Sequence, residues 1–443
     1  MSPRRFGTTA LLGLSLTLAL SACASSGSSS DDAGSDGGGS VKTVPAAKGD
    51  GKTLTIWTMN GDYTDETIAA INAEFTKQTG ADVDVQIQEW DGITTKISTA
   101  LSTANTPDVL DLGNTQVASF AANGGLVDLT AYKADLAQGR TWLAGLEDPA
   151  TVDGKLYAAP GFAGARAVIY NKEIWKDAGV TEVPTTYEEL TADLDKIKAA
   201  NTASDFSAFY MPGQQWAAGM QWVWDAGAEI ATDANGTWTG GLESAEAQKA
   251  LNDWKTFQNT YSTKASQAVD TDNPDFNQVF ADEKTSAFLS TTGSIAKTLE
   301  TNPDLDADNI GTFPMPGLSG KTQPAMLGGS DWGIAAKSDA VDLALVWTKI
   351  ATSPQMQDDY VVGKDGWIPN STEGIEAAQS VINDQQKGFF NAALNSKATP
   401  AAAQWATVEG DKSINQFFSS IATGSKTPEA AAKDFDAHLT DTL

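Results

Sequence analysis

The feature that most constrains the fold is a regular alternation of strand patterns and helical patterns that begins at Leu54. Three short β-prone runs alternate with two segments in which apolar residues recur at helical spacing. This order is typical of a doubly wound α/β unit with parallel strands. The chain has 443 residues, enough for two to three domains. The runs cover residues 54–57, 83–87 and 107–112, and further α/β patterns follow at 168–170 and 187–200.

Polar residues follow each of the three strand patterns, and tryptophan accompanies two of them. Ligands of open α/β sheets bind at the carboxyl ends of the strands, so these residues are expected to share one rim. Asp, Asn and Gly are also ordinary loop residues, but loop chemistry alone does not explain the tryptophans. The residues predicted on this ground are Trp57, Asn60, Asp62, Trp90, Asp91 and Asn114.

Charge and composition exclude several classes of protein. Asp and Glu number 57 and Lys and Arg number 29, which gives a net charge of −28. A field of that sign repels phosphate backbones, so no nucleic-acid partner is expected. One Cys and one His exclude a disulfide framework and a Cys/His zinc site. We therefore expect no metal, no cofactor and no catalytic residue.

The N-terminus has the pattern of an export signal. Arg4 and Arg5 precede an uncharged run of 13 residues, too short to span a bilayer, which ends directly before Cys23. This order resembles the lipobox of bacterial lipoproteins, although an ordinary signal peptide with a chance cysteine remains an alternative. We predict a signal peptide over 1–22, then a lipid anchor and a Gly/Ser/Asp-rich tether over 23–50. Two acyl chains on Cys23 would hold the protein stably at the outer face of the cytoplasmic membrane.

Ordered segments along the rest of the chain resemble one protein family, the family 1 extracellular solute-binding proteins of sugar ABC transporters, which are maltose-binding-protein-like. The resemblance spans residues 51–443 and is clearest at 60–62, 73–80, 106–109, 124–129, 152–160 and 168–172. A narrower similarity links the chain to actinobacterial N,N'-diacetylchitobiose-binding lipoproteins. The segments for this second similarity are 88–93, 113–115, 224–227, 313–317 and 327–331.

The resemblance implies a two-lobed, type II periplasmic-binding-protein-like fold with a ligand cleft between the lobes. Lobe 1 is expected over 51–162 and 328–368, and lobe 2 over 163–327 and 369–443. It further implies a monomer that captures an oligosaccharide, best matched by N,N'-diacetylchitobiose or a related disaccharide. Hinge closure would trap the sugar, and the closed form would deliver it to the permease of an ABC importer.

The same resemblance adds candidate site residues. It implies a hydroxyl-binding role for Asp62 and stacking roles for Trp216 and Trp405, and Ser294 stands where many relatives carry Trp. Trp216 also shares a helical face with apolar neighbours, which leaves a core role open. Tryptophan rings cover the apolar face of a pyranose, while Asp, Asn and Arg pair with its hydroxyls. The remaining candidates are Phe162, Arg166, Asp225, Ser330, Asp331, Trp332 and Trp367.

Two other functions remain open at the level of sequence. With 57 carboxylates, a pair at the spacing of a glycoside hydrolase cannot be excluded, although no pattern singles one out. A non-transport cell-surface adhesin that binds carbohydrate is the second alternative. Turnover of a disaccharide would identify the first, and the absence of lobe closure with small sugars would favour the second.

Overall fold

The computed structural model describes residues 41–443. The predicted signal peptide and Cys23 lie outside the described residues. Residues 41–50, which the sequence assigns to the tether, pack against the body. The backbone N–H of Lys42 donates to the Ala131 carbonyl at 2.7 Å, and that of Gly49 donates to Thr79 at 2.9 Å. Val44 and Ala47 contact the core of the first sheet, which explains why this stretch is part of the fold.

The strands, in chain order, are β1 (Thr53–Met59), β2 (Asp82–Gln88), β3 (Val109–Gly113), β4 (Thr151–Val152), β5 (Lys155–Leu156), β6 (Ala158–Gly164), β7 (Ala167–Asn171), β8 (Ala231–Asp233), β9 (Trp238–Gly240), β10 (Ala287–Ser290), β11 (Ile310–Phe313), β12 (Ala325–Met326), β13 (Gly328–Ile334), β14 (Ile368–Pro369) and β15 (Ser396–Lys397).

The α-helices are α1 (Asp65–Thr79), α2 (Ile93–Ser102), α3 (Val117–Ala122), α4 (Lys133–Ala137), α5 (Ala144–Glu147), α6 (Lys172–Asp177), α7 (Tyr187–Ala200), α8 (Trp216–Asp225), α9 (Ala245–Tyr261), α10 (Phe276–Ala281), α11 (Gly293–Thr301), α12 (Val341–Ala351), α13 (Thr372–Ala378), α14 (Asp384–Ala393), α15 (Trp405–Gly410), α16 (Ser413–Thr423) and α17 (Pro428–Thr442). Short 3₁₀ turns cover Asn114–Gln116, Thr130–Tyr132, Lys264–Ala268 and Ala307–Asn309, and a π-helix covers Met356–Asp365.

The first sheet has six strands in the order β14-β6-β13-β3-β1-β2. Strand β1 runs parallel to both β2 and β3, as the alternating pattern predicts. Helix α1 crosses between β1 and β2. It begins where the Thr64 hydroxyl accepts the backbone N–H of Thr67, and it ends at Gly80, whose φ of 77° suits glycine. The loops that follow β1, β2 and β3 therefore meet at one edge of this sheet.

The second sheet has three antiparallel strands in the order β10-β7-β11, and β7 contains the predicted strand 168–170. Helix α7 covers the predicted range 187–200 and opens with a capping box between Thr186 and Glu189. Strand β7 lies at the centre of this sheet. The chain reaches β7 directly from β6 of the first sheet, through residues 165–166.

Each sheet has its own core, and a third cluster joins them. Leu54, Phe75 and Trp347 belong to the core around the six-stranded sheet. The core around the second sheet includes Trp254 and Phe418. The third cluster combines residues of both layers: Ala163, Ile169, Phe288, Ile368 and Phe390. The two layers are thus separate lobes that share one packed base.

Two buried amide side chains join the segments that cross between the layers. Gln357 donates from Nε2 to the Gly161 carbonyl at 2.9 Å and accepts the backbone N–H of Asn370 at 2.9 Å. Asn370 donates from Nδ2 to the Pro160 carbonyl at 2.8 Å. Both side chains are fully buried, so these bonds are shielded from water. We refer to Gln357 and Asn370 as the amide clamp.

Within residues 41–443, no helix combines the length and the apolar character needed to cross a membrane. In the same range, no group of three or more His, Cys, Asp or Glu side chains is arranged to hold a metal ion.

Candidate functional site

A cavity of about 440 Å³ lies between the two sheets. The loops after β1 and β2 contribute Asp62 and Trp90, and residues 291–293, directly after β10, contribute from the opposite sheet. The crossing segments supply the floor. We call this cavity the aromatic compartment, and its main side chains are Asp62, Trp90, Phe162, Arg166 and Trp367.

Asp62 is the centre of a small hydrogen-bond network in the aromatic compartment. Its Oδ2 accepts the Ser330 hydroxyl at 2.7 Å, and its Oδ1 accepts Nε1 of Trp90 at 3.3 Å. The residue is 8% exposed, and this burial raises the pKa of its carboxyl group above the usual value. Asp62 thus orients Trp90 while offering further acceptor positions to a ligand, since an ionised carboxylate accepts about four hydrogen bonds.

One wall of the aromatic compartment is a stacked pair of rings. Phe162 and Trp367 lie with their ring centroids 4.8 Å apart and their planes at 21°. Nε1 of Trp367 donates to the main-chain carbonyl of Asp62 at 2.7 Å, which fixes the indole relative to the carboxylate. Tyr63 packs edge-on against Phe162 from behind at 5.2 Å. The result is a rigid apolar face beside a polar group.

Arg166 separates the aromatic compartment from a second cavity of about 440 Å³. Its side chain lines both, and among residues 41–443 it makes no hydrogen bond or ion pair. Burial lowers the pKa of its guanidinium, although the charge of Glu409 partly opposes this. We call the second cavity the polar compartment. Its main side chains are Arg166, Gln215, Trp216, Phe276, Ser294 and Asn415.

Two further carboxyl groups are buried beneath Asp62. Asp111 accepts the backbone N–H of Met59 at 3.1 Å, and Asp331 has no hydrogen-bond partner within the described residues. Burial raises the pKa of both carboxyl groups well above the usual value, and in Asp111 the charge of Asp62 adds to the effect. The buried hydroxyl of Tyr63 likewise has a raised pKa for the same physical reason. This layer supports the site from below and does not line either compartment.

Seven of the fifteen residues predicted to bind ligand line one of the two compartments. They are Asp62, Trp90, Phe162, Arg166, Trp216, Ser330 and Trp367. Trp216 is half-buried, and its ring meets that of Trp405 edge-on at 6.4 Å. Trp216 therefore both borders the polar compartment and closes part of the second core.

Three predicted residues at strand ends lie outside both compartments. Trp57 is on the outer face of β1, where its Nε1 donates to Gln86 at 3.0 Å. Asn60 donates to the carboxylate of Glu89, and Asp91 is exposed to solvent. Asn60 and Asp91 lie at the predicted edge of the sheet, but their side chains line neither compartment. Trp57 lies within β1 and not after it, because the strand continues to Met59.

Five more predicted residues have structural contacts instead of cavity contacts. Asn114 is buried and donates to the carbonyls of Gly145 and Leu327, each at 3.2 Å. Asp225 accepts the Ser319 hydroxyl at 2.5 Å in a loop of the second lobe. The other three, Asp331, Trp332 and Trp405, are fully buried.

The two fully buried tryptophans, Trp332 and Trp405, each contact specific neighbours. Trp332 packs between Tyr63 and Trp347, at centroid distances of 5.0 and 4.7 Å. Trp405 donates from Nε1 to Glu409 at 2.6 Å. Because neither ring lines the aromatic or the polar compartment, we do not include them among the proposed contacts.

Several lining residues were not predicted from the sequence. Residues 291–293 follow strand β10, so the strand-end rule applied to 287–290 would have found them. Gln215 and Asn415 line the polar compartment from α8 and α16. They are 200 positions apart in the chain, and single amide residues of this kind have no sequence signature.

A larger cavity of about 660 Å³ lies elsewhere, between the segment 44–48 and helices α1 and α12. Its charged groups are already paired or solvated. Lys48 donates to the Gln78 carbonyl at 3.0 Å, and Lys77 pairs with Glu74 at 2.7 Å. It therefore offers no convergent, unpaired polar groups comparable with those between the lobes.

Comparison with known proteins agrees with this architecture. The family model described as "Bacterial extracellular solute-binding protein" matches residues 70–392. The chain is 35% identical over 362 residues to the diacetylchitobiose binding protein DasA of Streptomyces coelicolor, covering 81% of this chain and 82% of that protein. It is 24% identical to the maltodextrin-binding protein MdxE of Bacillus subtilis, covering 74% and 76% of the two chains.

Solved structures show the same two-lobed fold. The sugar-binding protein MalE of Xanthomonas citri superposes with a TM-score of 0.75 at 23% identity, over 88% of this chain and 97% of that one. The maltose-binding protein MalE of Listeria monocytogenes, in complex with maltose, gives 0.74 at 18% identity, over 88% and 97%. Both describe type II periplasmic-binding-protein architecture, an α/β fold. From the extent of the family match and the relative that covers four fifths of its length, the chain belongs to the bacterial extracellular solute-binding proteins.

Proposed function

We propose that this protein captures an oligosaccharide between its lobes and delivers it to the permease of an ABC importer. The ligand we propose is N,N'-diacetylchitobiose or a related disaccharide. The observation that most directly supports this is the combination, in one cavity, of the Phe162/Trp367 face, the Asp62 carboxylate and the unpaired Arg166 guanidinium.

These groups match the surface of a pyranose. Its C–H face can lie on a ring, and each aromatic contact of this type adds about 0.5–1.5 kcal/mol beyond the buried area. Its hydroxyls donate to Asp62 and accept from Arg166. A hydroxyl that donates to an ionised carboxylate contributes about 1.5–3 kcal/mol. A few such contacts are enough for micromolar affinity, which corresponds to about −8 kcal/mol.

The relatives support the ligand class. A protein 35% identical over most of its length is named for binding diacetylchitobiose, and a more distant one for binding maltodextrin. The two adjoining compartments, of about 440 Å³ each, suit a ligand of two sugar units better than a single monosaccharide.

Capture is proposed to occur by closure of lobe 1 (51–162 and 328–368) against lobe 2 (163–327 and 369–443). A ligand favours closure only if it binds the closed form better than the open one. The two sides of the cavity belong to different sheets, so a sugar that contacts both provides this difference. The closed form is then the one the permease recognises.

We further propose where the protein is located and that it acts as a monomer without catalytic activity. A lipid on Cys23 would hold the protein at the outer face of the cytoplasmic membrane, with the chain acting as a monomer. No catalysis is proposed, because the relatives that cover most of this chain are named as binding proteins. A glycoside hydrolase would instead use two carboxyl groups that flank the scissile bond, and an assay for released monosaccharide tests for this.

A single experiment separates these functions. Purified protein is titrated with N,N'-diacetylchitobiose, cellobiose and maltose by calorimetry, and each mixture is then assayed for released monosaccharide. We expect saturable binding of the first sugar, a raised melting temperature and no product. Release of monosaccharide would instead identify a hydrolase, and the absence of binding to every sugar would refute the proposed function.

A further inference from the structure

The side chains at the polar compartment include two buried acceptor atoms that have no partner within residues 41–443. Gln215 is 6% exposed; its Nε2 donates to the Leu289 carbonyl at 2.7 Å, and its Oε1 accepts no hydrogen bond from the described residues. Asn415 is 8% exposed; its Nδ2 donates to the Gln214 carbonyl at 3.0 Å, and its Oδ1 likewise accepts none from this part of the chain. In each case the bond made by the NH₂ group fixes the orientation of the amide, so the oxygen is the free atom.

Buried acceptors of this kind indicate a missing donor. Native proteins pair nearly all buried polar atoms, and an exception calls for a ligand or an ordered water. Both side chains line the same cavity, and that cavity adjoins the aromatic compartment through Arg166. Because both side chains line a cavity, a ligand that extends from one compartment into the other can supply these donors.

Arg166 has the opposite hydrogen-bonding requirement, because it needs an acceptor and not a donor. Its guanidinium has only donors and is unpaired within residues 41–443, so it needs an acceptor on the same ligand. The polar compartment is therefore complementary to a ligand group that donates and accepts hydrogen bonds at adjacent atoms. A secondary amide meets this requirement with its N–H and its carbonyl oxygen.

An apolar surface is present beside these polar groups. The half-buried rings of Trp216 and Phe276 line the polar compartment together with Ala217. The methyl group of an acetamido substituent needs such a surface, whereas a ring hydroxyl does not. The walls and the polar atoms together fit an acetamido group better than a hydroxyl group.

We infer that the polar compartment recognises an acetamido substituent of the ligand. Gln215 and Asn415 accept hydrogen bonds from the amide N–H and a neighbouring hydroxyl, and Arg166 donates to the amide carbonyl. Trp216 and Phe276 contact the methyl group. This inference rests on the proposed function and assigns the discrimination between acetylated and unacetylated sugars to these residues.

The test compares three β-1,4-linked disaccharides that differ in the substituent at C2. N,N'-Diacetylchitobiose carries acetamido groups, cellobiose carries hydroxyls, and deacetylated chitobiose carries ammonium groups. Calorimetry is performed on the wild type and on Gln215→Met, Asn415→Leu and Arg166→Met. The matched control is Gln248→Met in α9. Gln248 also donates from Nε2 to a main-chain carbonyl, that of Leu242 at 2.8 Å, and has an unpartnered Oε1, but it lies outside both compartments.

We expect the wild type to prefer the diacetylated sugar over cellobiose, and each compartment variant to bind it about tenfold more weakly. Affinity for cellobiose should fall less than affinity for the diacetylated sugar, because only the contacts to ring hydroxyls are common to both sugars. Gln248→Met should bind both sugars as the wild type does. Three separate variants keep the test decisive if one of them fails to fold, and melting temperatures identify such a failure.

Three results would overturn the inference. One is an equal loss of affinity for both sugars in the compartment variants, and another is no loss for either. The third is tighter binding of the deacetylated sugar, which would indicate ammonium recognition by Asp270 and Asp272 at the same cavity. If the wild type binds none of the sugars, the proposed function itself fails, and that result is distinct from the other three.

Discussion

Replacement of Asp62 by alanine tests how the site works. The change removes the acceptor of the Ser330 hydroxyl, at 2.7 Å, and of Trp90 Nε1, at 3.3 Å. It leaves the main-chain carbonyl that accepts Trp367 Nε1, so the stacked ring pair keeps its position. The variant therefore loses the carboxylate without losing the aromatic face.

The expected magnitude follows from these contacts. A hydrogen bond to a charged group contributes about 1.5–3 kcal/mol, so the loss of one bond from a sugar hydroxyl weakens binding by about 10–150-fold. The free energy of unfolding should change by less than about 1 kcal/mol. Two hydrogen bonds are lost, but the cost of burying a carboxylate, visible in the raised pKa of Asp62, is removed as well.

The assay is calorimetric titration with N,N'-diacetylchitobiose, accompanied by urea denaturation. The control is Asp82→Ala, which removes an exposed carboxylate at the far end of β2 and should bind as the wild type does. If Asp62→Ala binds within about twofold of the wild type while both variants remain folded, the carboxylate does not contact the sugar and the cavity assignment is wrong.

Three other changes have definite expected outcomes. Burial raises the pKa of Asp111 in the folded state, so its contribution to stability is greatest at low pH and falls as the pH rises through the raised value. Asp111→Asn should therefore gain stability relative to the wild type as the pH rises above about 4, the usual pKa of an Asp, as measured by urea denaturation; a constant difference would contradict this. Gly329 has a φ of 138°, and a Cβ there would lie 2.1 Å from the Phe162 carbonyl oxygen, so Gly329→Ala should cost more than about 2 kcal/mol and lower the melting temperature. A stable Gly329→Ala would show that β6 and β13 can separate easily. Finally, Cys23→Ser should move the protein from the membrane fraction to the soluble fraction, and retention in the membrane would refute lipid anchoring.

Local sequence patterns were sufficient to predict three of the six strands of the first sheet and part of its rim. The alternation of strand and helix patterns identifies β1, α1, β2, α2 and β3, because each element is long enough to show the spacing of its apolar residues. Asp62 and Trp90, which were predicted by the rule that ligand residues follow strands, line the aromatic compartment. The same rule does not separate them from Asn60 and Asp91, since spacing along a loop does not determine where each side chain points.

The second half of the site depends on contacts that no local pattern contains. Trp405 and Trp332 resemble stacking residues in sequence, but both are enclosed by distant segments of the chain. Asn114 is engaged by main-chain carbonyls 31 and 213 positions away. Gln215 and Asn415 become neighbours only when α8 and α16 pack together. The role proposed for Gln215 and Asn415 rests on their unpaired side-chain oxygens, which are visible only in the folded structure.

The amide clamp has a mechanical consequence for any movement of the lobes. Gln357 and Asn370 bind the main chain of β6 at Pro160 and Gly161, so the crossing segments cannot slide past one another at that level. We therefore expect any bending to take place beyond the clamp, toward the second sheet, near Gly164 and Gly328. A Cβ at Gly328 would meet nothing within 4 Å, so this position has room to turn. A pivot at this level would lie beside Arg166, and a small rotation there would change the width of both compartments together.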